Sequence, residues 1–364
     1  MNHGQESSAP GRRDIVPVLV AASNSQRLPH LDGLRGMAAM AVLFYHVQNL
    51  FRLTFGFERG YLFVDVFFML SGFVLSLAWA GSAGHSSAVL LLKARLHRLW
   101  PTIAAASILG AVIHAILGDS HVPLNLLLAL FLVPVIWREG SIYPINGVQW
   151  SLFWEVLANV AHVFLLRRIS TNGLFALGVL MGLLFAAAIQ WYGDATFGPD
   201  ADYWWLALVR VGWSYTVGAL MARLYNETDW KPVVSWWQAL ALFMLSVLAL
   251  PLLPFSWAVG DTLLVIVVLP TLFWLLVTAK QPIRCSRWLA QLGALSFPLY
   301  ATHLPLLTLF STLDLPRSLS AVLATIIALV LSAWFGRRQL RRAPTNFTPP
   351  ANPALATPST SPIS

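Results

Sequence analysis

Charge is what this chain has least of. Only 10% of its 364 residues are Asp, Glu, Lys or Arg, where a soluble globular protein carries roughly 25%. A soluble fold of this size needs charged side chains on every surface helix, so that class is excluded. Cysteine is nearly missing as well. Cys285 stands alone, which rules out an internal disulfide and any multi-cysteine metal site; no metal is expected. Internal repeats are not evident, which argues against transporter folds built from duplicated halves.

What fills the sequence is apolar. Hydrophobic residues make up 57%, gathered in blocks of the length that crosses a bilayer, about 17–25 residues of helix. Candidate helices cover 34–53, 61–80, 100–117, 124–137, 150–166, 174–191, 204–224, 236–253, 257–278, 289–313 and 319–335. Trp and Tyr at many of their ends match interfacial aromatic belts.

A net charge of +8 can signal a nucleic-acid partner. Here the basic residues sit in short clusters between apolar blocks, so they read as topology determinants and no nucleic acid is expected. The clusters are Lys93, Arg95 and Arg98; Arg167 and Arg168; Arg223 and Lys231; Lys280, Arg284 and Arg287; and Arg337, Arg338, Arg341 and Arg342. The connections around Asp119, 194–202 and Pro254 hold no Lys or Arg. The positive-inside rule makes the basic clusters cytoplasmic. Sidedness then alternates correctly only if one segment between 100 and 150 does not cross. The short, Pro134-bearing segment 124–137 is that one, half-spanning or re-entrant.

The expected fold is therefore all-α: a polytopic membrane helix bundle with about ten crossings, one half-spanning or re-entrant segment, and both termini cytoplasmic. A polar segment, 1–30, precedes the membrane domain, 31–336. A basic and then Pro/Ser/Thr-rich tail, 337–364, is expected to be disordered.

Polar residues inside apolar blocks are costly and each needs a reason. Arg35 and His46 lie eleven residues apart, about three helical turns, so they share one face with a rise of roughly 16 Å. This puts Arg35 near the cytoplasmic surface and His46 near the bilayer centre, where an imidazole can act as general base or simply bond a neighbouring helix. Asp65 reads as a buried partner for an arginine or for His46. Ser71 and Gly72 suit close packing. Arg95 and Arg98, at i,i+3 spacing on a cytoplasmic helix end, can grip phosphates or anchor topology. Glu155, within about two turns of the outer surface, can accept a proton, orient His46, or pair with Arg210. His303 reads as a supporting residue deep in its helix.

These islands, in this order, resemble the acyltransferase type three family of integral membrane proteins, which includes bacterial O-antigen, exopolysaccharide and nodulation-factor O-acetylases. The matching stretches are Leu31-Asp32-Gly33-Leu34-Arg35-Gly36 with His46, Val64-Asp65-Val66-Phe67-Phe68 with Ser71-Gly72-Phe73, Arg95-x-x-Arg98 with Pro101, Trp150-Ser151-Leu152 with Glu155, and Ser296 through His303 with Pro305. The resemblance implies transfer of an acyl group, acetyl above all, from acyl-coenzyme A at the cytoplasmic face of the inner (plasma) membrane to a hydroxyl of a carbohydrate or glycolipid acceptor. It implies His46 as the catalytic histidine with Glu155 and Asp65, donor binding by Arg35, Arg95 and Arg98, and support from Asp32, Ser71 and His303. Ala158 and Asn159 stand where family members often carry an aromatic pair, a departure that bears on the acceptor. The competing expectation is a transporter that uses the same buried charges as a solute path.

Overall fold

The computed structural model describes residues 28–80, 85–227, 232–249 and 252–342. The expected terminal segments fall outside them, apart from residues 28–30 and 337–342. Among the described residues the chain is helical, with only two isolated bridges, Ser141–Asp200 and Ser235–Lys280. The helices are α1 (Pro29–Phe51), α2 (Phe63–Ala80), α3 (His85–Ile116), α4 (Val122–Leu130), α5 (Gln149–Phe164), α6 (Thr171–Tyr192), α7 (Ala207–Glu227), α8 (Trp236–Ala249), α9 (Trp257–Thr278), α10 (Ser286–Ser311) and α11 (Arg317–Arg342). Six of them, α2, α3, α6, α9, α10 and α11, are long and apolar enough to cross a bilayer. This is a membrane protein.

Every expected segment contains a helix, but 131–137 of the segment 124–137 is not helical and other boundaries move. α3 starts well before Trp100 and takes in the whole basic run, because Leu, Ala, Lys and Arg favour helix strongly. Its 32 residues span about 48 Å, more than the roughly 30 Å hydrocarbon core, so its first turns project beyond that core. Pro101 sits inside α3 and removes the hydrogen bond to the His97 carbonyl. α11 runs on to Arg342, so the first six residues assigned to the tail are helical. At the other end Pro29, pre-set for a first helical turn, starts α1 inside the segment read as polar leader. α4 has nine residues, about 14 Å, too short to cross.

Two pairs of helices build the centre, and each runs parallel. α1 lies along α10: a Cβ on Gly36 would meet Leu292 at 2.7 Å, and one on Gly293 would meet Asp32 at 2.5 Å. Further along, His46 stacks beside His303, so both chains advance in the same direction. α2 lies along α7 with Asp65 against Arg210 and Gly218 against Met69. Small residues are required at both crossings because the backbones touch. The outward faces of α6 and α11 stay apolar, with Leu183, Val330 and others exposed, as lipid contact demands.

Candidate active site

Between α1, α2, α3, α5 and α10 lies a narrow pocket of about 80 Å³. It has two layers, one helical turn apart. Its inner layer is polar. α1 contributes Arg35, α3 contributes Arg95 and Arg98, α2 contributes Ser71, α5 contributes Glu155 and α10 contributes Ser296. Arg95 and Arg98 both reach the wall, as their i,i+3 spacing on α3 requires. Arg95 Nη2 donates to Glu155 Oε1 at 2.6 Å and to Ser71 Oγ at 2.8 Å. The Ser71 hydroxyl lies 3.2 Å from both Glu155 Oε1 and Asn159 Oδ1, and Tyr215 donates to the same Asn159 oxygen. Arg35 Nη1 donates to Asp32 Oδ1 at 3.3 Å. Three guanidiniums thus face the cavity and Glu155 is the one carboxylate in its wall, an excess of positive charge suited to an anionic ligand.

The outer layer is apolar and aromatic, with Phe67, Leu152 and Phe297, and ends on a hydroxyl pair. Tyr300 Oη and Ser151 Oγ are 2.6 Å apart. The Tyr300 ring packs on Phe67 at 5.3 Å and on His303 at 6.0 Å, and His303 packs on His46 at 5.2 Å. His46 itself is half-buried and is not in the wall; ring contacts through His303 and Tyr300 link it to the cavity. His303 is fully buried. Its Nδ1 lies 2.9 Å from the Leu299 carbonyl, which can only accept, so the proton is on Nδ1. Nε2 is then a lone pair with no partner among the described residues.

Two residues expected near His46 are engaged elsewhere. Asp65, placed in the catalytic set from the sequence, is fully buried with Arg210. Its oxygens accept from Arg210 Nη2 at 2.7 Å, from Arg210 Nε and from Ser214 Oγ at 2.9 Å. A carboxylate so saturated serves the α2–α7 contact and not His46. The same pair takes Arg210, considered as the partner of Glu155, whose arginine is Arg95. Glu155 therefore turns toward the basic end of the cavity.

Sequence reasoning passed over several residues. Tyr300 lies four positions after Ser296 on the same face of α10, a spacing present in the quoted Ser-Phe-Pro-Leu-Tyr stretch. Ser151 sits one turn before Glu155. Arg59 forms a buried ion pair with Asp261, which also accepts from Tyr61 and from the Ala195 amide. A charge in an apolar block, here Asp261, was the available signal.

Two curated relatives resemble the chain. One, from Rhizobium radiobacter, is protein 2 in the picA locus, 28% identical over 164 residues that cover 39% of this chain and 84% of the relative. Another, from Komagataeibacter xylinus, is named as a membrane-bound transacylase, BcsY, and is 24% identical over 347 residues, 89% of this chain and 84% of the relative. No solved structure matches. The family model described as an acyltransferase domain matches residues 28–337. The chain belongs to the acyltransferase type three family of membrane proteins and is an acyltransferase.

Proposed function

We propose that the protein transfers an acyl group, acetyl above all, from acyl-coenzyme A at the cytoplasmic face of the inner membrane to a hydroxyl of a carbohydrate or glycolipid acceptor. The observation that carries this reading is the convergence of Arg35, Arg95 and Arg98 on one cavity whose other end abuts the His46–His303 pair. The arginines hold the donor's phosphates, and the apolar layer takes the pantetheine arm. His46 removes the acceptor's hydroxyl proton, the oxygen attacks the thioester carbon, the C–S bond breaks, and the imidazolium returns the proton to the thiolate.

The parallel helices support a ten-crossing topology. α2 and α7 run the same way only if an even number of crossings separates their starts. α2, α3, α5 and α6 give that number when the short α4 does not cross. α1 and α10 obey the same parity when α8 crosses. The basic ends of the helices then share the cytoplasmic side with the arginine layer.

The test uses inverted membrane vesicles, which expose the cytoplasmic face and retain the native acceptor pool. Protein-dependent release of coenzyme A from acetyl-CoA is expected, and His46→Ala should abolish it with membrane insertion intact. Turnover near wild type in His46→Ala removes the base; no release by the wild type removes the donor. Loss of an acetyl-sized mass from envelope glycans in cells lacking the protein identifies the acceptor class.

A further inference from the structure

We propose that the Tyr300 hydroxyl, set by Ser151, is the hydrogen-bond donor to the oxyanion formed at the thioester carbonyl. The inference rests on the acyl-transfer reading above. A donor with its phosphates outside the arginine layer, held from the rim, and its arm passing the guanidiniums presents its thioester carbonyl to the outer layer. Attack turns that C=O into C–O⁻ among apolar and aromatic side chains, where an undonated oxyanion is costly. The hydroxyls of the inner layer are engaged. Ser296 Oγ donates to the Gly293 carbonyl at 2.7 Å, and Ser71 is held in the Arg95–Glu155 hub. The outer layer offers Tyr300 and Ser151.

These two share protons in a way that leaves one available. Ser151 Oγ lies 3.1 Å from the Val148 carbonyl and 2.6 Å from Tyr300 Oη. Pointed at Val148, the Ser151 proton leaves Tyr300 donating to Ser151. Pointed at Tyr300, it satisfies the phenol oxygen and frees the Tyr300 proton for a third partner. Tyr300 donates without losing that proton; collapse of the intermediate restores the C=O and expels the thiolate, which is protonated from His46. The same ring abuts His303, so the donor stands beside the base assembly.

Tyr300→Phe and Ser151→Ala are compared with wild type in inverted vesicles, with acetyl-CoA as donor and the endogenous acceptor. Tyr300→Phe should lower kcat about 10²–10³-fold, the loss typical of one oxyanion donor, with KM for acetyl-CoA within about threefold because the interaction arises only in the transition state. Ser151→Ala should lower kcat by a smaller factor, again at constant KM. A Tyr300→Phe enzyme with unchanged kcat, or with raised KM alone, overturns the assignment. If Tyr300→Phe does not insert, an unchanged kcat in Ser151→Ala overturns it. His46→Ala in the same vesicles separates the two ideas: dead His46→Ala beside active Tyr300→Phe rejects the oxyanion donor only, whereas active His46→Ala rejects the base.

Discussion

Arg95 and Glu155 come from positions sixty residues apart, and each is about four-fifths shielded from solvent. At that exposure the pair is neither a screened surface contact nor a sealed one, and its guanidinium remains open to exchange. An incoming phosphate competes with Glu155 for the same donor groups. Glu155 is then a counter-ion that holds Arg95 in place before the donor arrives, with Ser71 as second anchor. Glu155→Gln keeps the shape and an acceptor oxygen but removes the charge. It should tighten coenzyme A binding by about 3–10-fold, the scale of one partly shielded charge interaction, read by calorimetric titration of the purified protein. Unchanged or weaker binding would show that the carboxylate does not compete with the donor. The spacing of the arginines was readable in advance because both lie on one helix. The identity of Glu155's partner was not, since hydropathy sets depth along a helix and is silent on which neighbour its faces meet.

The contact of α2 with α7 illustrates the same limit between elements. Both segments are plain in the sequence as apolar blocks, and Ser71 and Gly72 mark a close approach. Yet Asp65 and Arg210 are 145 residues apart, and nothing local ties one to the other. In the fold they sit where Gly218 and Gly72 bring backbones together, with a Cβ at Gly72 only 2.2 Å from the Tyr215 carbonyl oxygen. Arg210 also donates to the carbonyls of Tyr61 and Ala195, so it ties α2, α7 and the 193–199 connection into one unit. Asp65→Asn would leave a buried guanidinium without its counter-charge, a loss of about 3–5 kcal/mol. The expected result is a large drop in thermal stability in detergent, while the surviving folded protein binds coenzyme A as the wild type does. A stable Asp65→Asn protein that has lost only turnover would return Asp65 to the catalytic set.

Across the whole molecule, sidedness decides whether the cavity can meet its donor at all, because coenzyme A is cytoplasmic and cannot cross the bilayer. The charge pattern of the connections proposes which ends are cytoplasmic, and the parity of the parallel helices is compatible with the same number of crossings. The first counts Lys and Arg along the chain; the second depends on which residues touch. Both require α4 not to cross, a point visible in the sequence as a short segment with Pro134 and in the fold as nine helical residues. The chain holds its own reporter of this arrangement. Cys285 is the sole cysteine, half-buried at the start of α10 between Arg284 and Arg287. In the ten-crossing scheme it lies on the same side as Arg95. A membrane-impermeant maleimide should therefore label Cys285 in inverted vesicles and leave it unlabelled in intact spheroplasts, with no engineered cysteine needed. Acetyl-CoA should be consumed only by the inverted preparation. Labelling confined to spheroplasts would put the start of α10, and with it the basic layer of the parallel α1, on the outside, where no coenzyme A could reach the arginines.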